Sequence, residues 1–248
     1  MKPLISVVTV CFNAVHEIEK TILSVINQTY PNVEYLIIDG GSTDGTMAIV
    51  NRYRDKIAVI ISEPDKGIYD AMNKGIARAT GEWINFMNAG DEFCCSHVIE
   101  SIFEQRITEE YALIYGNHKE LKEGSYISVF PKPFFEVNKF IMFHGKGICH
   151  QCIFLRRVIA KEIPFSLKYP ICDDFYQVYN IYKKHPTSFL YLNVDIANFD
   201  SNGISCTNKE QVYYENYSIL HNGTIINKAV FIFFMKLARF FKKCFKGK

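Results

Sequence analysis

Asn88-Ala89-Gly90-Asp91 sets a single carboxylate in a small polar turn, directly after an apolar run with Ile84, Phe86 and Met87 that enters from Gly81. Such a run predicts a short buried strand, and Gly90 lets the backbone turn sharply just before the acid. A carboxylate at a strand end can point out of the sheet toward a ligand, so the turn is where a metal-bound nucleotide diphosphate is expected. Asn, Gly and Asp are also ordinary turn formers, which is the plain alternative. A second acidic site, Asp173-Asp174, opens a helical pattern with Val178, Ile181 and Tyr182 on one face. A partly buried carboxylate there, with its pKa raised toward neutrality, could act as a general base. It could equally cap the helix, where the free N–H groups and dipole favour an acid by about 0.3–1 kcal/mol. Between the two sites, Cys149-His150-Gln151-Cys152 precedes apolar Ile153 to Leu155. Its C-x-x-C spacing has no second ligand pair at zinc spacing elsewhere, so a metal or redox role is disfavoured. His144 and His221 stand singly and are read as structural.

These residues need a scaffold, and the apolar pattern supplies one. Leu4 to Val10 runs into Cys11-Phe12-Asn13, and Val33 to Ile38 runs into Asp39-Gly40-Gly41-Ser42-Thr43-Asp44-Gly45-Thr46. Ile57 to Ile61 leads into Ser62-Glu63-Pro64-Asp65-Lys66-Gly67 and then a helix from about Ile68 to Ala79. A helical pattern follows each of the first two strands, the first carrying Ile18, Ile22, Val25 and Ile26 at spacings of three and four. Strand, polar loop and helix in repetition predict an α/β fold with a mostly parallel sheet covered on both faces, its polar loops gathered at one edge.

SVVTVCFN, IIDGGSTDGT, SEPDKGIYDAMNKG and NAGD, in this order and spacing, resemble the nucleotide-sugar half of family 2 glycosyltransferases with the GT-A fold, especially those building bacterial surface polysaccharides such as O-antigen, capsule or exopolysaccharide. The resemblance is specific over residues 4 to 92 and looser to about residue 206. It implies donor contacts from Thr9, Phe12, Asn13, Asp39, Asp65, Lys66, Asn73, Asn88 and Gly90, with Asp39 and Asp65 on base and ribose. It implies a divalent cation, Mn²⁺ or Mg²⁺, on Asp91, and acceptor or donor-sugar contacts from His150 and Gln151. Asp174 is the implied catalytic base, with Asp173 as runner-up. Asp200-Ser201-Asn202-Gly203-Ile204-Ser205 resembles a loop closing near the donor diphosphate, and a plain turn fits nearly as well. The chain departs from the family pattern twice. Asp39-Gly40 stands where a pair of acids is usual, and Asn88-Ala89-Gly90 where an Asp-x-Asp is usual, so Asp91 is the turn's only acid and weak metal binding is expected. The implied reaction is inverting transfer of a sugar from a nucleotide-diphosphate donor to an acceptor hydroxyl. Two alternatives stand beside it: a sugar nucleotidyltransferase, for which the Gly-rich, basic phosphate loop after the first strand is missing, and a nucleotide-sugar-binding protein without catalysis.

The 248 residues, 48% hydrophobic, suit one catalytic domain over 1–223, divided into a donor half (1–92) and an acceptor half (93–223), followed by a tail over 224–248. Eight cysteines including adjacent Cys94 and Cys95 do not make a small-domain disulfide framework, and reduced cytosolic thiols are the simpler account. The opening Met1-Lys2-Pro3 and its apolar run lack a small-residue cleavage site and are read as the first strand. The tail holds seven basic residues and no acid, which against a total of +2 leaves residues 1–223 at −5. Ile226, Val230, Phe233, Leu237, Phe240, Phe241 and Cys244 fall on one helical face with most lysines opposite. Such a helix suits an anionic membrane surface, each basic residue contributing about 1 kcal/mol, and is too short and charged to span a bilayer. Packing on the catalytic domain or on a second copy is the alternative. A cytoplasmic enzyme, peripheral on the inner face of the membrane and using a glycan or lipid-linked acceptor, is expected. Nucleic acid is disfavoured as a partner because the positive charge is confined to one end.

Overall fold

The computed structural model describes residues 2–105, 107–122, 124–131, 148–199, 204–221 and 230–232. The first part alternates as expected: β1 (Ile5–Cys11), α1 (Ile18–Ile26), β2 (Val33–Asp39), α2 (Thr46–Arg52), β3 (Val59–Ser62), α3 (Ile68–Arg78) and β4 (Trp83–Phe86). Then come β5 (Glu92–Phe93), α4 (Val98–Phe103), a hairpin of β6 (Leu113–Lys122) and β7 (Ser125–Val129), and β8 (Ile153–Arg156). The described elements end with α5 (Arg157–Glu162), α6 (Asp173–Lys184), β9 (Phe189–Phe199), α7 (Ile204–Thr207) and α8 (Lys209–Leu220). The strands join in one sheet of order β3-β2-β1-β4-β8-β6-β9-β5, with β7 beside β6.

Its first four strands run parallel, and β8 then pairs antiparallel with both β4 and β6. Alternate residues of β1 serve opposite faces. Ile5, Val7 and Cys11 pack with Ile18 and Ile22 of α1, Val50 of α2 and Ile99 of α4. Val8 and Val10 pack with Met72 and Ile76 of α3 and with Val178 and Ile181 of α6. Burial on both faces explains why β1 and β2 read as unbroken apolar runs. The polar loops leave the carboxyl ends of β1, β2 and β3 side by side, since Cys11 pairs with Asp39 and Asp39 with Ser62 in register.

The second half of the chain rests on pairings between distant segments. β6 and β9 run parallel with irregular register at Asn117, and β5 closes against β9. Of the tail, the described Val230–Ile232 are helical, and the Phe231 ring lies 5.8 and 5.0 Å from those of Tyr214 and Tyr217 on α8. The rest of the tail's stripe, His144 with Gly145-Lys146-Gly147, and residues 200–203 lie outside the described residues. No helix among the described residues is long and apolar enough to cross a membrane.

α3 sits close on the sheet because Gly75 has no side chain: a Cβ there would come within 2.6 Å of Val8 Cγ1. Val8 is fully buried and β-branched, so it cannot swing aside. Gly75→Ala is expected to destabilise the fold by about 1–3 kcal/mol, read as a lowered urea midpoint at unchanged m-value.

Candidate active site

The Asn88–Asp91 turn is held from below. Past β4, the Met87 and Ala89 amides donate to the Val8 and Val10 carbonyls at 3.0 and 3.1 Å, continuing the parallel ladder. Thr21 of α1 donates to the Asp91 carbonyl at 2.6 Å and accepts from the Gly90 amide at 3.1 Å. The carboxylate is then oriented by a relay from the loop before β8. Cys149 Sγ donates to Gln151 Oε1 at 2.6 Å, and Gln151 Nε2 donates to Asp91 Oδ2 at 2.5 Å. Asp91 is only 7% exposed, so this fixed amide matters to its direction.

Beside it runs a second line of side chains. Asn88 Nδ2 donates to His150 Nε2 at 2.8 Å, which leaves the imidazole hydrogen on Nδ1, 3.2 Å from Asp174 Oδ2. Asp174 Oδ1 accepts from the Phe175 amide at 2.8 Å and from the Tyr69 hydroxyl at 3.1 Å. Burial works against charge on both groups. For His150 it is outweighed by the hydrogen bond to Asp174 and by the charges of Asp174 and Asp91, and the pKa rises. For Asp174 it is outweighed by the hydrogen bond and charge of His150, then by the Phe175 amide and Tyr69, and the pKa falls below the ordinary aspartate value. This corrects the expectation of a carboxylate pushed toward neutrality: the charged partner, absent from the local sequence, reverses the effect of burial.

Asp173 points elsewhere. It is fully buried, accepting from Ser166 Oγ at 2.6 Å and the Leu167 amide at 2.9 Å, and so fastens the loop before α6. The adjacent acids thus divide into a loop clamp and a carboxylate on the His150 line.

At the β1–β2–β3 edge two of the expected donor-binding residues are engaged within the protein. Thr9 is fully buried, its hydroxyl shared between Tyr35 Oη at 3.0 Å and the Met87 carbonyl at 2.8 Å, so it is a strut beneath the site. Asp39 is fully buried too, and its oxygens accept from the Gly41 and Ser42 amides, Ser42 Oγ, Ser62 Oγ and Cys11 Sγ. These donors prevail over burial and hold its pKa below the ordinary value. Asp39 therefore shapes the loop that follows β2.

The acid missing at Gly40 has a spatial substitute. A Cβ on Gly40 would lie 2.5 Å from Asp65 Oδ2 and 3.3 Å from the Phe12 ring, so the Asp65 carboxylate fills that space from the β3–α3 loop. Phe12 is 63% exposed beside it, and an open ring next to a carboxylate can stack on a flat base and accept hydrogen bonds from a nucleoside. Asn13, at φ 48°, accepts from the Thr43 amide and ties the first loop to the second. Lys66 is exposed at the head of α3, its amide donating to Asp70.

Asn73 is engaged within the protein as well. Its amide exchanges two hydrogen bonds with the Phe165 backbone, at 2.9 and 3.0 Å, and so clamps α3 to the loop before α6. Thr21, Tyr69 and Glu215 were not singled out from the sequence. Tyr69 lies inside the GIYDAMNKG motif, whereas Thr21 and Glu215 sit in unremarkable helical segments. His221, read as structural, stacks its ring on Tyr217 at 4.1 Å.

The turn's donor set bears on whether a cation fits. Among the described residues no group of three His, Cys, Asp or Glu could hold a metal ion. The turn does contain the Asp91 carboxylate and Asn88 Oδ1, a buried oxygen without a hydrogen-bond partner. Two hard oxygens fit a Mg²⁺- or Mn²⁺-like ion whose remaining ligands are diphosphate oxygens and water.

A parallel β/α sheet with loops converging beside an acidic turn, continued through an antiparallel strand into a mixed second half, is the architecture of a GT-A glycosyltransferase. The chain belongs to glycosyl transferase family 2, whose profile matches residues 6–163. It is 28% identical over 211 residues to a PGL/p-HBAD biosynthesis glycosyltransferase of Mycobacterium tuberculosis, covering 81% of this chain and 78% of that one. Over 95 residues it is 39% identical to the putative teichuronic acid biosynthesis glycosyltransferase TuaG of Bacillus subtilis, covering 37% and 38% of the two chains. The fold is shared with S. aureus TarS 1-349 in complex with UDP (TM-score 0.65, 18% identity, 88% of this chain and 64% of that one). It is shared likewise with the mannosyltransferase PcManGT from Pyrobaculum calidifontis in complex with GDP-Man and Mn²⁺ (TM-score 0.67, 16% identity, 89% and 63%). This chain thus spans just under two thirds of each of those two structures.

Asp39→Ala strands two amides and two hydroxyls, and is expected to lower stability by about 3 kcal/mol or more without any nucleotide present, measured by urea denaturation. The His150–Asp174 pair sets a pH window. Asp174, with its depressed pKa, contributes stability above about pH 4 and loses it as pH falls through the depressed value. His150, with its raised pKa, contributes fully below about pH 6.5 and loses that contribution as pH rises through the raised value. The Tm difference between wild type and His150→Gln is therefore expected to be largest between those limits and to shrink on either side of them.

Proposed function

We propose that the protein is an inverting, metal-dependent glycosyltransferase that moves a sugar from a nucleoside-diphosphate donor to an acceptor hydroxyl in the assembly of a bacterial surface glycan. The observation that carries this is the line Asn88–His150–Asp174, which connects the turn bearing Asp91 to a partly exposed carboxylate through two side chains. A one-step displacement needs a leaving-group end and a base end held at fixed separation, and this line supplies both. The nucleoside belongs between Phe12 and Asp65, and the diphosphate at Asn88–Asp91. A divalent cation bound there would neutralise charge developing on the leaving diphosphate.

Asp174 accepts the proton of the acceptor hydroxyl as that oxygen attacks the anomeric carbon from the face opposite the diphosphate. Its low pKa keeps it ionised and ready at neutral pH, while His150 holds it in direction. Asp173 is not favoured for this step because Ser166 and Leu167 already occupy it. Gln151 acts through Asp91, and His150 through Asp174, so both orient the acids more than they contact the sugar. The surface-glycan assignment draws on the relatives' roles. The lipid-linked acceptor and cytoplasmic membrane face draw on the tail, with its seven basic residues and no acid.

Loss of catalysis is the competing account. It weakens where Asp65 fills the space at Gly40 and Asn88 offers an oxygen near Asp91. A nucleotidyltransferase would need basic residues after β1, where Cys11-Phe12-Asn13-Ala14 stands.

A thermal-shift panel of UDP, GDP, dTDP and CDP with and without Mn²⁺ is expected to give a cation-dependent rise with one nucleotide, because a ligand binding only the native state stabilises it by mass action. Asp91→Asn is expected to remove the Mn²⁺-dependent part. Asp174→Asn is expected to keep the whole shift and lose transfer by at least about 10²-fold. No shift with any nucleotide, or wild-type transfer by Asp174→Asn, would defeat the assignment.

A further inference from the structure

We propose that Tyr69 is a positioning residue for the transfer step, holding Asp174 in both of its protonation states by turning one hydroxyl hydrogen between two acceptors. The inference rests on Asp174 being the base. Tyr69 stands in the first turn of α3, nearly buried, at the point where the donor half meets the loop before α6. Its hydroxyl oxygen is 2.5 Å from the Ile171 carbonyl oxygen and 3.1 Å from Asp174 Oδ1. A phenol carries one hydrogen, so it serves one of these acceptors at a time.

The two acceptors match the two ends of the reaction. While Asp174 is a carboxylate, the hydrogen is best spent on its charged Oδ1. In the transfer step the acceptor's O–H proton passes to Asp174 and its oxygen forms a bond to the anomeric carbon. The anomeric bond to the diphosphate oxygen breaks, and its electron pair leaves with the diphosphate. Asp174 is then neutral, the Tyr69 hydrogen turns to Ile171, and the phenol oxygen is released to accept. The ring shifts slightly toward Asp174 while the hydrogen is turned there, because two oxygens 2.5 Å apart need a hydrogen between them.

The other groups around Asp174 cannot do this. His150, from the turn before β8, faces Oδ2 through Nδ1, and the Phe175 amide only donates. On the same segment, Cys172 is a buried thiol kept protonated first by burial and then by the charge of Asp174, and Asp173 is engaged with Ser166 and Leu167. The second acceptor is itself anchored. The Ile171 and Cys172 amides donate to Glu215 Oε2 at 3.0 and 2.8 Å, so buried Glu215 of α8 keeps the Ile171 carbonyl where Tyr69 can reach it.

Tyr69→Phe keeps the ring and removes the hydroxyl. The readout is Mn²⁺-dependent nucleotide release from UDP-glucose, UDP-N-acetylglucosamine or GDP-mannose, whichever turns over, followed as kcat and KM against pH. kcat is expected to fall about tenfold or more while the donor KM stays within about twofold. The acidic limb of kcat is expected to move to higher pH, because the carboxylate has lost a donor. A 3-fluorotyrosine at position 69 keeps the shape and strengthens the donor, and is expected to move the limb the other way. It carries the test if Tyr69→Phe fails to fold. An unchanged kcat and limb in the folded variants, with Asp174→Asn inactive, would overturn the role of Tyr69 and leave the base assignment standing. An active Asp174→Asn would overturn both.

Discussion

The antiparallel seam between β4 and β8 is the contact on which the site depends. Asn85 pairs with Phe154 across it, and its buried amide donates to the Gln151 and Ile153 carbonyls at 2.9 Å each. This stitches the short turn His150–Cys152 against the end of β4, so a segment sixty residues downstream lies alongside the Asn88–Asp91 turn. Both relays follow from that placement: Cys149 through Gln151 to Asp91, and Asn88 through His150 to Asp174. The polar side chain in an otherwise apolar strand is costly to bury; here its two donors are spent on the backbone of the His150–Cys152 turn, while its Oδ1 has no hydrogen-bond partner.

Asp39, Asp173 and Asp174 are held by different kinds of partner. Asp39 is surrounded by donors from its own loop and its neighbouring strands, leaving little capacity for a ligand. Asp173 is likewise consumed by the loop it closes. Asp174 is held by the His150 imidazole, the Phe175 amide and the Tyr69 hydroxyl, of which the imidazole and the hydroxyl can redistribute hydrogens, and it retains partial exposure. A carboxylate whose partners can adjust suits proton transfer better than one locked by several amides. Low pKa alone does not distinguish them, because donors depress it in Asp39 and Asp174 alike.

The clamps around α6 show how the two halves act as one. Tyr69 and Asn73, a helical turn apart on α3, grip Ile171, Asp174 and Phe165. Glu215 grips the same segment from α8, and Ile171 and Cys172 pack with Ile219 of that helix. The loop bearing the acids is therefore pinned from the donor side and from the C-terminal side. Preorganisation of this kind lowers the reorganisation cost of the transfer step.

Local chemistry in the sequence determined the α/β alternation of residues 5–86, the acidic turn at Asp91 and the family, because apolar periodicity, turn residues and the four motifs each depend on near neighbours. It also determined that Asp173 or Asp174 opens a helix. Tertiary structure alone decided which way each side chain faces. β1 is buried on both faces, so no polar alternation marks Thr9 as inward. The turn-forming DGGST stretch hides that Asp39 is used up by its own loop. Adjacent acids at a helix start point in different directions, and only the packing of Ser166, Leu167, His150 and Tyr69 assigns them. The filling of the Gly40 space by Asp65 and the lowering of the Asp174 pKa both arise between residues far apart in the chain, where spacing carries no signal.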